Sequence, residues 1–275
     1  MAKANEWIQG ARPKTLPAAV APVLVGTALA FPNPNYINAL LALIVSLALQ
    51  IGVNFANDYS DGIKGTDEDR VGPIRLVGSG LASAKSVKAA AFISFAIASI
   101  AGTWLAFLTS PLLILVGIIS IAAAWGYTGG KNPYGYSGLG EVSVFTFFGL
   151  VATMGTYYVQ TESITALSFI VAIPMGALSC AILEVNNIRD RAQDELVGKR
   201  TLAVRLGDRK ARHLYVSLLV LAHVAAVATL IPTAMLTLLV APMSFSISKL
   251  VLSGASGKEL IPALGRTGKL QLIFA

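Results

Sequence analysis

Apolar residues in this chain come in long runs rather than in alternation. Stretches at roughly 16–32, 37–56, 86–109, 111–128, 139–160, 164–185, 213–231 and 233–250 carry almost no charge. A helix needs about 20 such residues to cross a ~30 Å hydrocarbon layer, so the pattern predicts eight spanning helices. A ninth run begins near Gly268 and is too short to cross, which predicts a short ninth segment. The expected fold is all-α, a polytopic transmembrane helix bundle forming one domain over residues 1–275.

The basic residues between the runs give the orientation. All 21 Lys and Arg fall before the first run, after the even-numbered runs or beyond the eighth, and therefore on one side of the membrane. The opposite turns carry none. Basic residues favour cytoplasmic loops, so the N-terminus is expected in the cytoplasm.

Composition agrees with a membrane solvent. Hydrophobic residues make up 55% of the chain and charged ones 13%, about half the charged share of a soluble domain. The formal charge of +7 is explained by basic loops at an anionic leaflet, so no nucleic-acid partner is expected. The lone Cys180 lies in an apolar run and is expected to be a packing residue. The first 20 residues lack an apolar core followed by a small-residue cleavage site, so no signal peptide is expected.

Two polar stripes carry the candidate chemistry. The second run continues into NFANDYSDGIKGTDEDR, where Asn54, Asp58 and Asp61 are spaced four and three. The sixth continues into NNIRDRAQDELVGKR, where Asn187, Asp190 and Asp194 are spaced three and four. On a helix each set shares one face. Crowded carboxylates repel unless a cation holds them, and Mg²⁺ takes one or two carboxylates and fills its remaining positions with water and phosphate oxygens. Arg70, Lys199 and Arg200 lie close enough in sequence to bind a diphosphate.

Blander readings compete with this one. Mixed charges such as Asp67–Arg70 are often solvated salt bridges, but the duplication of the stripe on one membrane face argues against that for the set as a whole. A divalent-cation transporter would place its acids nearer the bilayer midplane. Gly198–Thr201 is not a phosphate loop, because Gln193 stands where the first glycine is required and Arg200 separates Lys199 from Thr201.

A third segment, YTGGKNPYGYSGLGE, follows the fourth run, and its Lys131 and Glu141 are further candidates. Tyr134 and Tyr136 are expected to anchor at the interface. Glu184, inside the sixth run, is expected either to face a polar cavity or to be a partnered structural acid.

At these segments, and at GARPKTLPAAVAPVLVGTALA near the start, the chain resembles the UbiA superfamily of intramembrane prenyltransferases. Within it the chain is most similar to the 1,4-dihydroxy-2-naphthoate prenyltransferases of menaquinone synthesis. The resemblance implies a helical cavity capped on the cytoplasmic side by aspartate motifs, in a bacterial plasma membrane. It also implies Mg²⁺ as cofactor, with a polyprenyl diphosphate and an aromatic acid as substrates. The first metal motif falls on Asn54, Asn57, Asp58 and Asp61, with Asp67 and Arg70 completing the naphthoate-type pattern. The second falls on Asn187, Asp190 and Asp194, followed by Lys199 and Arg200. Tyr127 corresponds to a tyrosine facing the allylic carbon, and Lys131 or Glu141 would approach the aromatic acid. A different acceptor, such as a hydroxybenzoate or a sugar phosphate, is the nearest alternative.

Overall fold

The structure, a computed structural model, describes residues 2–65, 72 and 74–275, so the candidates Asp67 and Arg70 lie outside the described residues. Within that range all regular structure is helical. A short helix α1 (Ala4–Gly10) and a tight turn at Pro13–Thr15 lead into α2 (Pro17–Ala28), which opens on a proline whose missing N–H is no loss in a first turn. The next helix, α3 (Tyr36–Ile63), starts under Asn35, whose side chain accepts from the N–H groups of Ile37 and Asn38. Ser83 caps α4 (Ala84–Leu108), and α5 (Leu112–Gly126) follows Pro111. Then come α6 (Gly140–Thr161), α7 (Ala166–Leu196), the short α8 (Leu202–Leu206), α9 (Asp208–Ala228), α10 (Pro232–Leu252) and α11 (Ile261–Phe274).

Among the described residues, α3, α4, α6, α7, α9 and α10 are long and apolar enough to cross a membrane. The first and fourth runs form shorter apolar helices of 12 and 15 residues, because part of each run is used in turns at Leu29–Phe31 and around Tyr127. The ninth segment begins at Ile261 rather than near Gly268; Arg266 and Lys269 interrupt its apolar pattern and hide its start.

The axis of the bundle is α7, 67% of whose apolar window is buried against 17–39% for the other long helices. Its Met175, Leu178, Ile182 and Val185 pack with Tyr215 and Leu219 of α9 and with Leu264 and Leu270 of α11. α6 crosses α7 closely: a Cβ on Gly149 would stand 2.6 Å from Gly176 Cα, and α6 widens there into a π-helical stretch, Phe145–Val151. α2 approaches α6 as tightly, at Gly26 against Thr153 and Thr156. A second cluster, with Phe55, Leu76, Val87 and Phe95, joins α3 to α4 and to the segment around Leu76.

The outer faces are apolar too. Ile93, Ile100, Trp104 and Phe107 of α4 and Leu115 and Ile118 of α5 point outward, a surface suited to lipid rather than water.

Candidate active site

A cavity of about 430 Å³ runs through the bundle. At one end it is lined by Asn54, Asn57 and Asp61 at the end of α3, and by Asn187, Asp190 and Asp194 at the end of α7. The two stripes, more than 120 residues apart in sequence, therefore border a single space. Beyond them the lining turns apolar, through Leu49, Val53, Ile121 and Phe147 to Val23, Ala42, Leu105 and Val159.

Asp61 is the hub of the polar end. Its Oδ2 accepts from Arg75 Nη2 at 3.2 Å and from Lys199 Nζ at 3.1 Å, and its Oδ1 accepts from the Tyr136 hydroxyl. These three partners come from three different loops, so the carboxylate ties the ends of the bundle together. All but Tyr136 are nearly shut off from solvent, where an unpaired charge would be prohibitive. Lys199 and Lys64 also stand over the Tyr136 ring, each 4.8 Å from its centroid.

Around this hub the amides are held in fixed orientations. Asn57 Oδ1 accepts from the Thr128 hydroxyl at 2.7 Å, and Lys64 donates to the Thr128 carbonyl at 2.8 Å. Desolvation draws the Lys64 ammonium below the usual lysine pKa; Asp61 opposes that shift and the Lys199 charge adds to it. The Asn54 amide nitrogen donates to the Ala11 carbonyl and the Thr15 hydroxyl, leaving its carbonyl oxygen as the atom it can offer a cation.

On the α7 side, Arg189 grips Asp190 with two parallel bonds of 2.7 and 2.6 Å. Asn187 Nδ2 donates to Glu141 Oε1 at 2.9 Å. Glu141 and the fully buried Glu184 share a pocket beside Cys180, whose thiol donates to the Glu141 carbonyl. Tyr127 lines the cavity, with its ring edge-on to Tyr134 at 5.5 Å. Burial raises the Tyr134 phenol pKa, countered in part by its bond to Ser143.

Five expectations need correction. Asp58 does not line the cavity: its two oxygens accept from the backbone N–H groups of Leu76 and Val77 at 2.7 and 2.9 Å. Asp58 and Asp61 are three residues apart, about 60° around a helix, enough to aim one at the connecting loop and the other at the lumen. Lys131 is exposed on its loop and away from the cavity. Arg200 is exposed as well, and it is its backbone N–H that acts, donating to the Tyr136 carbonyl at 2.9 Å. Glu141 faces Glu184 rather than the lumen and reaches the cavity through Asn187, which leaves Glu184 as the partnered structural acid of its two expected readings. Tyr136 is no interfacial anchor but a partner of Asp61.

Arg75 and Arg12 also line the cavity, and the spacing of polar residues did not single out either one. The signal available was their place in the segments VGPIRLVGSG and GARPKTLPAAV, where a basic residue stands among glycines and prolines.

The donor set suits a hard cation. Among the described residues no three His, Cys, Asp or Glu cluster tightly enough to hold a metal alone. Carboxylates and amide oxygens facing one cavity from two helices instead match the habit of Mg²⁺, which leaves coordination positions for substrate phosphate.

Residues 19–259 match the UbiA prenyltransferase family. The whole chain is 50% identical to the 1,4-dihydroxy-2-naphthoate octaprenyltransferase of Mycobacterium tuberculosis, covering 96% of that protein. It is 39% identical, over 99% of its length and 94% of the relative's, to the enzyme of the same name from Haemophilus influenzae. In fold it is similar to the apo UbiA homolog from Aeropyrum pernix K1, with a TM-score of 0.74 at 15% identity over 100% of this chain and 97% of that one. The UbiA homolog from Archaeoglobus fulgidus bound to GPP and Mg²⁺ gives 0.69 at 13% identity, over 98% and 97%.

Proposed function

The chain belongs to the UbiA prenyltransferase family and is an integral membrane protein, and on that premise we propose that it moves a polyprenyl group from polyprenyl diphosphate to 1,4-dihydroxy-2-naphthoate. The reaction releases diphosphate and CO₂ and leaves the ring as the hydroquinone, a demethylmenaquinol, which oxidises to demethylmenaquinone in a separate step. The observation that carries this reading is one cavity with an acid-and-amide end joined to an apolar lumen, the shape of a diphosphate attached to a hydrocarbon tail.

Asp61, Asp190 and Asp194, with the carbonyl oxygens of Asn54, Asn57 and Asn187, are the residues that would hold Mg²⁺. When bound, the ion screens the charge that grows on the departing diphosphate. Lys199 and Arg75, already at Asp61, would turn to the diphosphate oxygens, a short movement for two side chains at the rim of the same space. Tyr127 lines the same cavity, and its π face would steady the allylic cation. The apolar walls beyond keep water from that cation. The acidic end and the N-terminus face the cytoplasm in this reading, as the one-sided Lys and Arg distribution supports.

The test is direct. Protein purified in lipid nanodiscs is supplied with Mg²⁺, dihydroxynaphthoate and geranyl diphosphate, and the prenylated naphthoquinol is identified by mass, directly or as the quinone it forms in air. A folded preparation that yields neither the prenylated naphthoquinol nor its quinone overturns the reading.

A further inference from the structure

The apolar part of the cavity is bordered by three glycines on three helices: Gly102 of α4, Gly117 of α5 and Gly155 of α6. A Cβ at Gly117 or Gly155 would meet nothing within 4 Å, and one at Gly102 would meet only Val45 Cγ2, at 3.7 Å. These positions differ from the glycines that permit helix packing. At Gly26, Gly52, Gly149 and Gly176 a Cβ would come within 2.5–2.7 Å of a neighbour, so close contact explains them. Glycine weakens a helix interior, and at 102, 117 and 155 no neighbour demands it. What the missing side chains leave is lumen.

The depth of each follows from helix rise. Gly117 lies ten residues before Tyr127, about 15 Å into the bundle. Gly155 lies fourteen residues beyond Glu141, whose partner Asn187 is at the polar end, and so about 20 Å in. Gly102 faces Val45, sixteen residues before Asp61, at about 24 Å. An extended isoprene unit adds four carbon–carbon bonds of about 1.5 Å in zigzag, or roughly 5 Å. The diphosphate's own length comes off the depths counted from Asp61 and Glu141, so the three glycines sit beside the third and fourth units of a tail whose diphosphate is held at Asp61.

We propose that Gly102, Gly117 and Gly155 keep the lumen wide at the depth of the third and fourth isoprene units and so set which donor lengths the enzyme accepts. This inference rests on the prenyl-transfer reading above. A side chain at any of the three projects into the tail's path, while the first two units and the reacting carbon lie short of it.

The experiment compares kcat/KM for geranyl diphosphate, with two units, and octaprenyl diphosphate, with eight. It uses wild type, a Gly155→Ala, Gly155→Val and Gly155→Leu series, and Gly102→Leu. The long-to-short ratio should fall with side-chain size, by at least about tenfold in the leucine variants, the discrimination a hydrophobic wall provides. The graded series keeps the ratio measurable if the largest side chain impairs folding. A ratio equal to wild type across the series, or loss of both donors in parallel, overturns the inference. Wild type inactive with both donors overturns the prenyl-transfer reading instead.

Discussion

Lys199 Nζ stands 3.1 Å from Asp61 Oδ2, joining the segment after α7 to the end of α3 across 138 positions of sequence. The contact brings the two acidic stripes around one space, and it places a positive charge where an anionic leaving group would be held. Each residue depends on the other: Asp61 without Lys199 loses part of its neutralisation, and Lys199 without Asp61 is a buried ammonium over a tyrosine ring.

Asp61→Asn should therefore fail in two ways. Turnover should fall by about 10²–10³-fold, the usual effect of removing one preorganised electrostatic element. Arg75 and Lys199 would lose their shared counter-charge, a change that costs about 3–5 kcal/mol where a buried pair is broken. Steady-state kinetics and thermal melting in the same detergent separate the two effects.

Asp58 should behave differently. Its carboxylate holds Leu76 and Val77, so Asp58→Ala removes two charge-assisted bonds worth about 1.5–3 kcal/mol each. The melting temperature should drop, while the KM for Mg²⁺ in the folded fraction should stay near wild type. A raised KM for Mg²⁺ with an unaltered melt would return Asp58 to the metal site.

Glu141 acts on the cavity through Asn187. Glu141→Leu removes the acceptor that fixes the Asn187 amide, and loss of a residue that orients a ligand weakens metal affinity by about 10–100-fold. Titrating turnover with Mg²⁺ should show that shift. Glu141→Gln, which keeps a carbonyl acceptor, should recover most of it.

Chelation gives the simplest check on the cofactor. EDTA should abolish prenyl transfer, and added Mg²⁺ should restore it in full. Activity that persists in EDTA would mean that Arg75 and Lys199 alone neutralise the diphosphate.

Much of this was legible in the sequence, and the exceptions share a cause. Helix period places Asp61 and Asn54 on one face and Asp190 with Asn187 on another, because i, i+3 and i, i+4 spacings are geometric consequences of 3.6 residues per turn. The same spacing cannot say which edge of a face meets the lumen, and so it grouped Asp58 with Asp61. Arg75, Tyr136 and the backbone of Arg200 reach the site from loops, where position depends on how the chain returns. That return path is fixed partly by Asp58 itself, through Leu76 and Val77. Glu184 stood out correctly as an acid in an apolar run, but only packing reveals that it faces Glu141 and not the substrate space.

The π-helical stretch at Phe145–Val151 acts as one surplus residue in an otherwise regular rod. Excising a residue there would leave Gly140 and Glu141 in place and turn everything beyond by about 100°. Thr153 and Thr156 would swing off Gly26 of α2, and Gly155 would leave the lumen. The two halves of α6 are thus phased independently, the outer half to the polar rim and the inner half to the hydrocarbon channel. A one-residue change in length at this point alters the channel without disturbing the rim.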